Sequence, residues 1–502
     1  MAYARAMAAG VTGVSGRLVE IEADLANGLP AMVISGLPDT ALNEARDRVR
    51  AAVTNSGLRW PDRRLTVNLL PAALPKHGTA FDLAMAAAVL GCAAEIPPAA
   101  LGAIGLIGEL GLDGAVRPIR GVLPMALALR RSGVRTAIVP DGNAAEAAVV
   151  PGLSVRRAAS LAEVVAHLRG ETSLPGATEE AAAEPAARPD LADVAGQQLG
   201  RRGIEIAAAG GHHLALIGPP GAGKTMLAER LPSVLPELDD DGALEVTALH
   251  SIAGHLQGGR LIRQPPFQTP HHSASAPALV GGGPGLARPG AISLAHRGVL
   301  FLDEAPEFAP HALESLRQPL ETGRIVLRRS NGAAEFPARF QLVLAANPCP
   351  CAKPGGDAYC ECPAQVRRRY LGRLSGPLMD RIDLRVELMP LRTADLLGAG
   401  GESSAAVAAR VANARQAAAA RWAPFGRRVN GEAPGNVLRS SAFQPGVSHT
   451  RRLRQWLDRG ALSARGFDRT LKVAWTVADL DGRDQPTAAD IDEALGMRAG
   501  QP

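Results

Sequence analysis

The eight residues Gly218-Pro219-Pro220-Gly221-Ala222-Gly223-Lys224-Thr225 constrain this chain more than any other feature. They satisfy G-x-x-x-x-G-K-[ST], in which glycines turn backbone N–H groups inward and let the chain approach phosphate oxygens closely. The flanks agree. His213-Leu214-Ala215-Leu216-Ile217 predicts a short apolar strand and Met226-Leu227-Ala228-Glu229-Arg230 a helix, so the loop opens on a helix N-terminus whose field favours anions. Lys224 is expected to place its ammonium on the β- and γ-phosphates of ATP, and Thr225 to ligate Mg²⁺. Among 54 basic residues the only other lysines are Lys76, Lys353 and Lys472, so composition does not account for a lysine here.

A second motif lies about 80 residues downstream, Val299-Leu300-Phe301-Leu302-Asp303-Glu304. Four consecutive apolar residues predict a buried parallel strand, and its two acids fall at the C-terminal end, where α/β sheets place ligands. Asp303 is expected to hold Mg²⁺ through its water shell and Glu304 to polarise an attacking water. A third apolar run, Phe340 to Ala346, ends in Asn347, whose amide is placed to reach a γ-phosphate or orient the water. Together these predict a nucleoside triphosphatase built on a parallel α/β sheet.

The rest of the chain divides around that core. Residues 1–169 alternate strand and helix signals: Arg17 to Glu22, Leu65 to Leu69 and Thr136 to Val139 read as strands, Leu42 to Thr54 and Phe81 to Cys92 as helices. This is an α+β pattern. Residues 170–189, GETSLPGATEEAAAEPAARP, carry few large apolar side chains and predict an exposed linker. The α/β core is expected over 190–395, and residues 396–502, rich in Ala and Arg at helical spacing, predict a C-terminal helical domain. No apolar stretch reaches the about 20 residues that a spanning helix needs. With five cysteines and no signal peptide, the cytoplasm is the expected compartment.

GPPGAGKT, VLFLDEAPEF, AANPCPC and GPLMDRIDL, with GLPDTALNEARDRVRAAVTNSG near the start and SARGFDRTLKVAWTVADL near the end, resemble the magnesium-chelatase-like AAA+ ATPases of the YifB/ComM family. The resemblance runs through nearly the whole chain. It implies an AAA+ P-loop NTPase core, an N-terminal Lon-protease-like domain of the ribosomal S5 domain 2-like type, a C-terminal α-helical lid, and assembly into a homo-hexamer. The ComM members of the family are helicases for DNA branch migration in natural transformation, so DNA, single-stranded or branched, is the expected partner. The resemblance also implies that Asn347 is the sensor-1 residue and Arg381 the arginine finger reaching a neighbouring subunit's nucleotide. Arg465 falls at sensor 2, with Arg469 as the alternative. Planar guanidinium groups suit the charge spread over a γ-phosphoryl transition state.

In the N-terminal domain, Pro75 to Asp82 and Arg120 to Pro124 resemble the Lon segments that carry a catalytic serine and lysine. Here the aligned positions are Ala80 and about Leu123, so serine–lysine peptide cleavage lacks both its nucleophile and its base.

Four features remain. Cys349-x-Cys351 and Cys360-x-Cys362 offer four thiolates for tetrahedral Zn²⁺; the alternative is four reduced cysteines in a loop. His271-His272 could offer a metal site, but adjacent histidines on a strand or helix point apart, so the pair reads as a structural or loop element. Arg324 to Gly332, with its Asn331-Gly332 turn signal, predicts a hairpin with basic residues near the tip. The basic excess between Arg421 and Lys472 fits either a phosphate-tracking face or a solvated helical one. Two other readings of the motor stay open, a metal-chelatase motor subunit and a protein-remodelling ATPase.

Overall fold

The computed structural model describes residues 3–36, 39–72, 78–177, 188–256, 258–283, 287–329, 332–353, 359–397 and 400–499. Pro75-Lys76-His77, half of the expected linker (178–187) and Ser330-Asn331 of the expected turn lie outside the described residues.

Tyr3–Thr12 (β1) and Ser15–Ala26 (β2) form a long antiparallel hairpin. It turns at Gly13, whose φ of +59° suits a residue without Cβ. Ala31–Ser35 (β3), Arg64–Leu70 (β4), Ile104–Leu106 (β5), Thr136–Pro140 (β6) and Ser154–Ala158 (β7) complete a mixed sheet in the order β3-β4-β2-β1-β5-β6-β7. Asp39–Asn55 (α1), Asp82–Cys92 (α2), Val122–Arg131 (α3) and Leu161–Leu168 (α4) accompany it. Every residue of α2 is buried. Its run of alanines lets the helix lie close against β1 and β2, and it joins Val19, Ile21, Val67 and Leu69 in the core.

The second unit is built on five parallel strands. After Gln198–Gly210 (α5) come Leu214–Ile217 (β8), Lys224–Val234 (α6), Asp240–Ala253 (α7), Phe267–Gln268 (β9) and Val299–Leu302 (β10). Arg324–Arg329 (β11) and Gly332–Pro337 (β12) form a separate antiparallel hairpin before Gln341–Ala346 (β13), Ala364–Leu371 (α8) and Leu384–Glu387 (β14). The sheet order is β9-β10-β13-β8-β14. All residues of β10 and β13 are buried because both faces are covered. Val299, Phe301, Val343 and Ala345 face one layer, Leu300, Leu302, Leu342 and Leu344 the other. This is why these strands read as unbroken apolar runs and not as alternating ones.

The C-terminal helices Ser404–Trp422 (α9), Arg451–Asp458 (α10), Ala464–Leu480 (α11) and Ala488–Ala499 (α12) follow. Ser403 caps α9 and Ser463 caps α11, each accepting a bond from a backbone N–H of the first turn. Val407, Val411, Phe467 and Leu471 pack in one cluster with Leu227 and Leu214 of the nucleotide-motif strand and helix. The chain is thus a parallel α/β core between an N-terminal α+β domain and a C-terminal helical domain. No described helix is long and apolar enough to cross a membrane.

Candidate functional site

The glycine-rich loop joins β8 to α6 at the C-terminal end of the sheet, with β13 as the neighbouring strand. Gly221 and Gly223 have φ of +75° and +85°, left-handed values that a side chain would strain. Gly218 is needed for a different reason, since a Cβ there would lie 2.8 Å from the Leu388 carbonyl. Pro219, Pro220 and Ala222 complete the turn, and Ala222 is buried against the core.

Lys224 curls back over this loop. Its Nζ donates to the carbonyls of Gly218 at 2.7 Å and Pro219 at 2.9 Å, and to Asn347 Oδ1 at 3.0 Å. Burial lowers the Lys224 pKa, while Asp303 and Glu304 favour its charge. One residue on, Thr225 Oγ1 donates to Asp303 Oδ2 at 2.8 Å. A hydroxyl and a carboxylate converging on one point form the oxygen donor set that Mg²⁺ takes, so these residues fit the ion. The structure therefore brings Lys224, Thr225, Asp303, Glu304 and Asn347 into one crevice across three adjacent strand ends.

Glu304 sits there with φ of +50°, unusual for a residue with a long side chain. Its carboxylate lies 3.4 Å from His272 Nδ1. His271-His272 lies in a loop after β9 and not in a regular element, as the sequence reading expected, and there the two rings approach to 4.1 Å between centroids. His272 is the residue of this crevice that sequence reasoning missed. The usable signal was topological: a loop leaving a strand beside β10 must pass near the end of β10.

The three arginines are placed elsewhere. Arg381 is buried, pairs with Glu321 and donates from Nη1 to the Pro377 carbonyl at 2.6 Å, while its Nε has no partner among the described residues. Arg465 is largely exposed and lies 3.6 Å from Asp380, the residue before Arg381. Arg469, the alternative, donates to Asp383 Oδ1 at 2.5 Å. Burial alone would raise the Asp383 carboxyl, but Arg469 and the bond from His212 hold it well below the usual carboxylate range. None of these bonds joins the arginines to Lys224 or Glu304.

Directly after Asn347 the four cysteines come together. Their Sγ atoms all lie within 4.8 Å of one another, with Cys349–Cys351 at 3.0 Å, Cys349–Cys360 at 3.3 Å and Cys351–Cys360 at 3.8 Å. Cys362 completes the group, and no disulfide links them. Tetrahedral zinc with Zn–S of about 2.3 Å sets sulfurs about 3.8 Å apart, so this cluster fits the ion. Residues 354–358 between the pairs lie outside the described residues.

Two sequence alternatives are narrowed. Within the basic stretch from Arg421 to Lys472, Arg421 pairs with Asp479, Arg428 with Asp239, Arg439 with Asp468, Arg452 with Asp492 and Arg469 with Asp383. Much of that excess is answered by carboxylates of the same chain. The β11–β12 hairpin forms as expected; Arg328 is exposed near its tip, and Arg324 pairs with Glu335 at 3.1 Å. In the N-terminal domain, Ala80 and Leu123 are buried in one apolar cluster.

Three family descriptions match the chain: magnesium chelatase, subunit ChlI, over residues 190–396; subunit ChlI of Mg-chelatase over 21–143; and magnesium chelatase, subunit ChlI C-terminal, over 401–498. An uncharacterized protein of Mycobacterium tuberculosis is 55% identical, over 99% of both chains. YifB of Salmonella typhimurium is 42% identical, over 97% of this chain and 95% of its own. Competence protein ComM of Haemophilus influenzae is also 42% identical, over 97% and 96%. A shorter stretch, 38% of this chain, is 31% identical to Lon protease of Rhizobium meliloti and covers 25% of that protein.

Proposed function

Because the chain belongs to the YifB/ComM family of magnesium-chelatase-like AAA+ proteins, we propose that it is an ATP-hydrolysing ring motor acting on DNA. Its activity on this reading is that of a helicase promoting branch migration in homologous recombination and natural transformation. The observation that carries the ATPase is the convergence of Lys224, Thr225, Asp303, Glu304 and Asn347 on one crevice. The DNA substrate is carried by likeness to a competence protein over nearly the full length of both chains.

In this reading, triphosphate replaces the loop carbonyls and Asn347 as the partner of Lys224. The backbone N–H groups of Gly221 to Thr225 meet its oxygens. Thr225 and Asp303 would hold Mg²⁺, which would neutralise developing charge on the phosphates. Glu304, whose carboxylate faces His272 beforehand, accepts the proton of the attacking water, and Asn347 orients that water. Arg465 lies beside Asp380, the residue before Arg381; in a hexamer Arg381 serves the nucleotide of the neighbouring copy, and Arg465 takes the sensor-2 role. Arg381 must first exchange Glu321 for a phosphate, and both partners are charged, so the exchange is between like interactions. The four cysteines hold a structural Zn²⁺ that fixes the chain just after Asn347.

The protein is proposed to work in the cytoplasm, with the nucleotide core over 190–395 moving against the lid over 396–502, and 170–189 linking them to the N-terminal domain. The matches to magnesium-chelatase subunits favour a second reading, a chelatase-type motor. Strand displacement on forked and four-way DNA junctions, run beside Lys224→Ala, tests the first. ATP-dependent displacement lost in Lys224→Ala supports the DNA motor, and its absence on every junction with ATPase intact favours the second.

A further inference from the structure

The N-terminal domain meets the nucleotide core along a seam built on close backbone approach. Ser251, near the end of α7, donates its hydroxyl to Glu146 of the N-terminal domain, and its own carbonyl accepts from the Gly121 N–H at 3.2 Å. The same Glu146 Oε1 accepts from the Leu123 N–H at 3.0 Å. Ile252 and Ala248 of α7 lie in one apolar cluster with Val11, Ala80, Val122 and Leu123. The place where the Lon resemblance would seat a hydroxyl and an ammonium is therefore packed against the ATPase.

Two glycines make that approach possible, and they come from both sides. A Cβ on Gly13, at the β1–β2 turn, would lie 2.6 Å from the carbonyl oxygen of Glu335 in β12. On Gly259 of the core it would stand 2.3 Å from the Ala145 carbonyl oxygen. Next to Gly13, Val14 packs on a cluster of Phe336 from β12, Leu249 from α7 and Ala287. The N-terminal domain thus grips two elements at once, α7 and the β11–β12 hairpin.

Helix α7 in turn leads to the hydrolytic strand. Glu245 of α7 accepts from Arg297 at 2.7 Å and lies 3.1 Å from His296 Nε2, and these two residues enter β10. The Arg339 N–H donates to His296 Nδ1 at 3.0 Å, tying in the entry to β13.

We propose that the N-terminal domain is a brace: docked through Ser251, Ile252 and Gly259 on α7 and its following loop, and through Glu335 and Phe336 on the hairpin, it fixes the hairpin relative to the strands that carry Asp303 and Asn347. This rests on the seam itself and not on the identity of the motor's substrate.

Hydrogen exchange of the full chain tests it. Gly259→Val forces a side chain into the Ala145 backbone, and Ser251→Ala removes the hydroxyl from Glu146 without adding bulk. Amides of 332–337 and 122–131 are expected to exchange at least about tenfold faster in both variants. Amides of 84–92 and 341–346, inside the two units, are expected to keep their rates. Should Gly259→Val also lose protection over 84–92, the Ser251→Ala variant decides alone. Unchanged exchange over 332–337 in Ser251→Ala, with 122–131 also unchanged, would overturn the brace.

Discussion

The ammonium of Lys224 lies 3.0 Å from the side-chain oxygen of Asn347, bridging the ends of two adjacent parallel strands. A cation that ends a phosphate loop and an amide that ends the next strand thus share a bond that triphosphate would have to displace. The proposed chemistry follows from who takes each partner's place.

Replacing Lys224 with Ala removes the ammonium of the crevice and leaves the phosphates without that cation. Hydrolysis should fall by about 10² or more, with nucleotide binding weakened as well. Asn347→Ala leaves the phosphate cradle whole, so binding should hold within a few-fold while turnover drops by about 10²-fold. Titration with a fluorescent nucleotide beside phosphate release separates the two effects.

An arginine that serves a neighbour can be rescued by that neighbour. Arg381→Ala and Lys224→Ala should each be inactive alone, but mixed rings contain interfaces with one intact Lys224 and one intact Arg381. At equal proportions about a quarter of interfaces are whole, and turnover should recover toward that fraction. Mixing that recovers nothing would place Arg381 in its own subunit's Glu321 pair only.

The Arg469–Asp383 pair is structural on this account, and its loss should be costly. Asp383 is 2% exposed, so Arg469→Ala strands a buried carboxylate and should destabilise the fold by roughly 3–5 kcal/mol. Because Asp383 is held below its ordinary value, its contribution is complete above an unfolded pKa of about 3.9 and lost only as pH falls through the lower folded value. Thermal unfolding of the variant against pH reads both effects; equal Tm for variant and parent at pH 7 would contradict them.

Metal analysis of protein purified under reducing conditions should find about one zinc per chain, since four thiolates fill one tetrahedral shell. Cys360→Ser and Cys362→Ser should each release it and loosen the segment that follows Asn347, with hydrolysis reduced more than nucleotide affinity.

Much of this was legible in the sequence, for physical reasons that differ by residue. The phosphate loop could be read because its glycines and Lys224 answer to local geometry, and β10 and β13 because burial on both faces leaves an unbroken apolar run. The cysteine cluster followed from spacing. His272 was not legible beside Glu304, since that meeting depends on the path of a turn and on which strand lies next to which. The same holds for Ser251 and Glu146, 105 residues apart, which no local pattern connects. The basic excess after Arg421 was ambiguous for a related reason: its carboxylate partners, Asp239 and Asp383 among them, lie far away in the chain.

On the proposed function, this crevice hydrolyses ATP to move DNA, with Glu304 as its base. Its most direct test is the turnover of ATP, in the presence of Mg²⁺, by the full chain with and without forked DNA, for the parent and for Glu304→Gln. The account predicts turnover raised by the fork in the parent and lowered by about 10²–10⁴ in Glu304→Gln, with ATP still bound. Turnover unchanged in Glu304→Gln, or a parent that the fork does not stimulate, would contradict it.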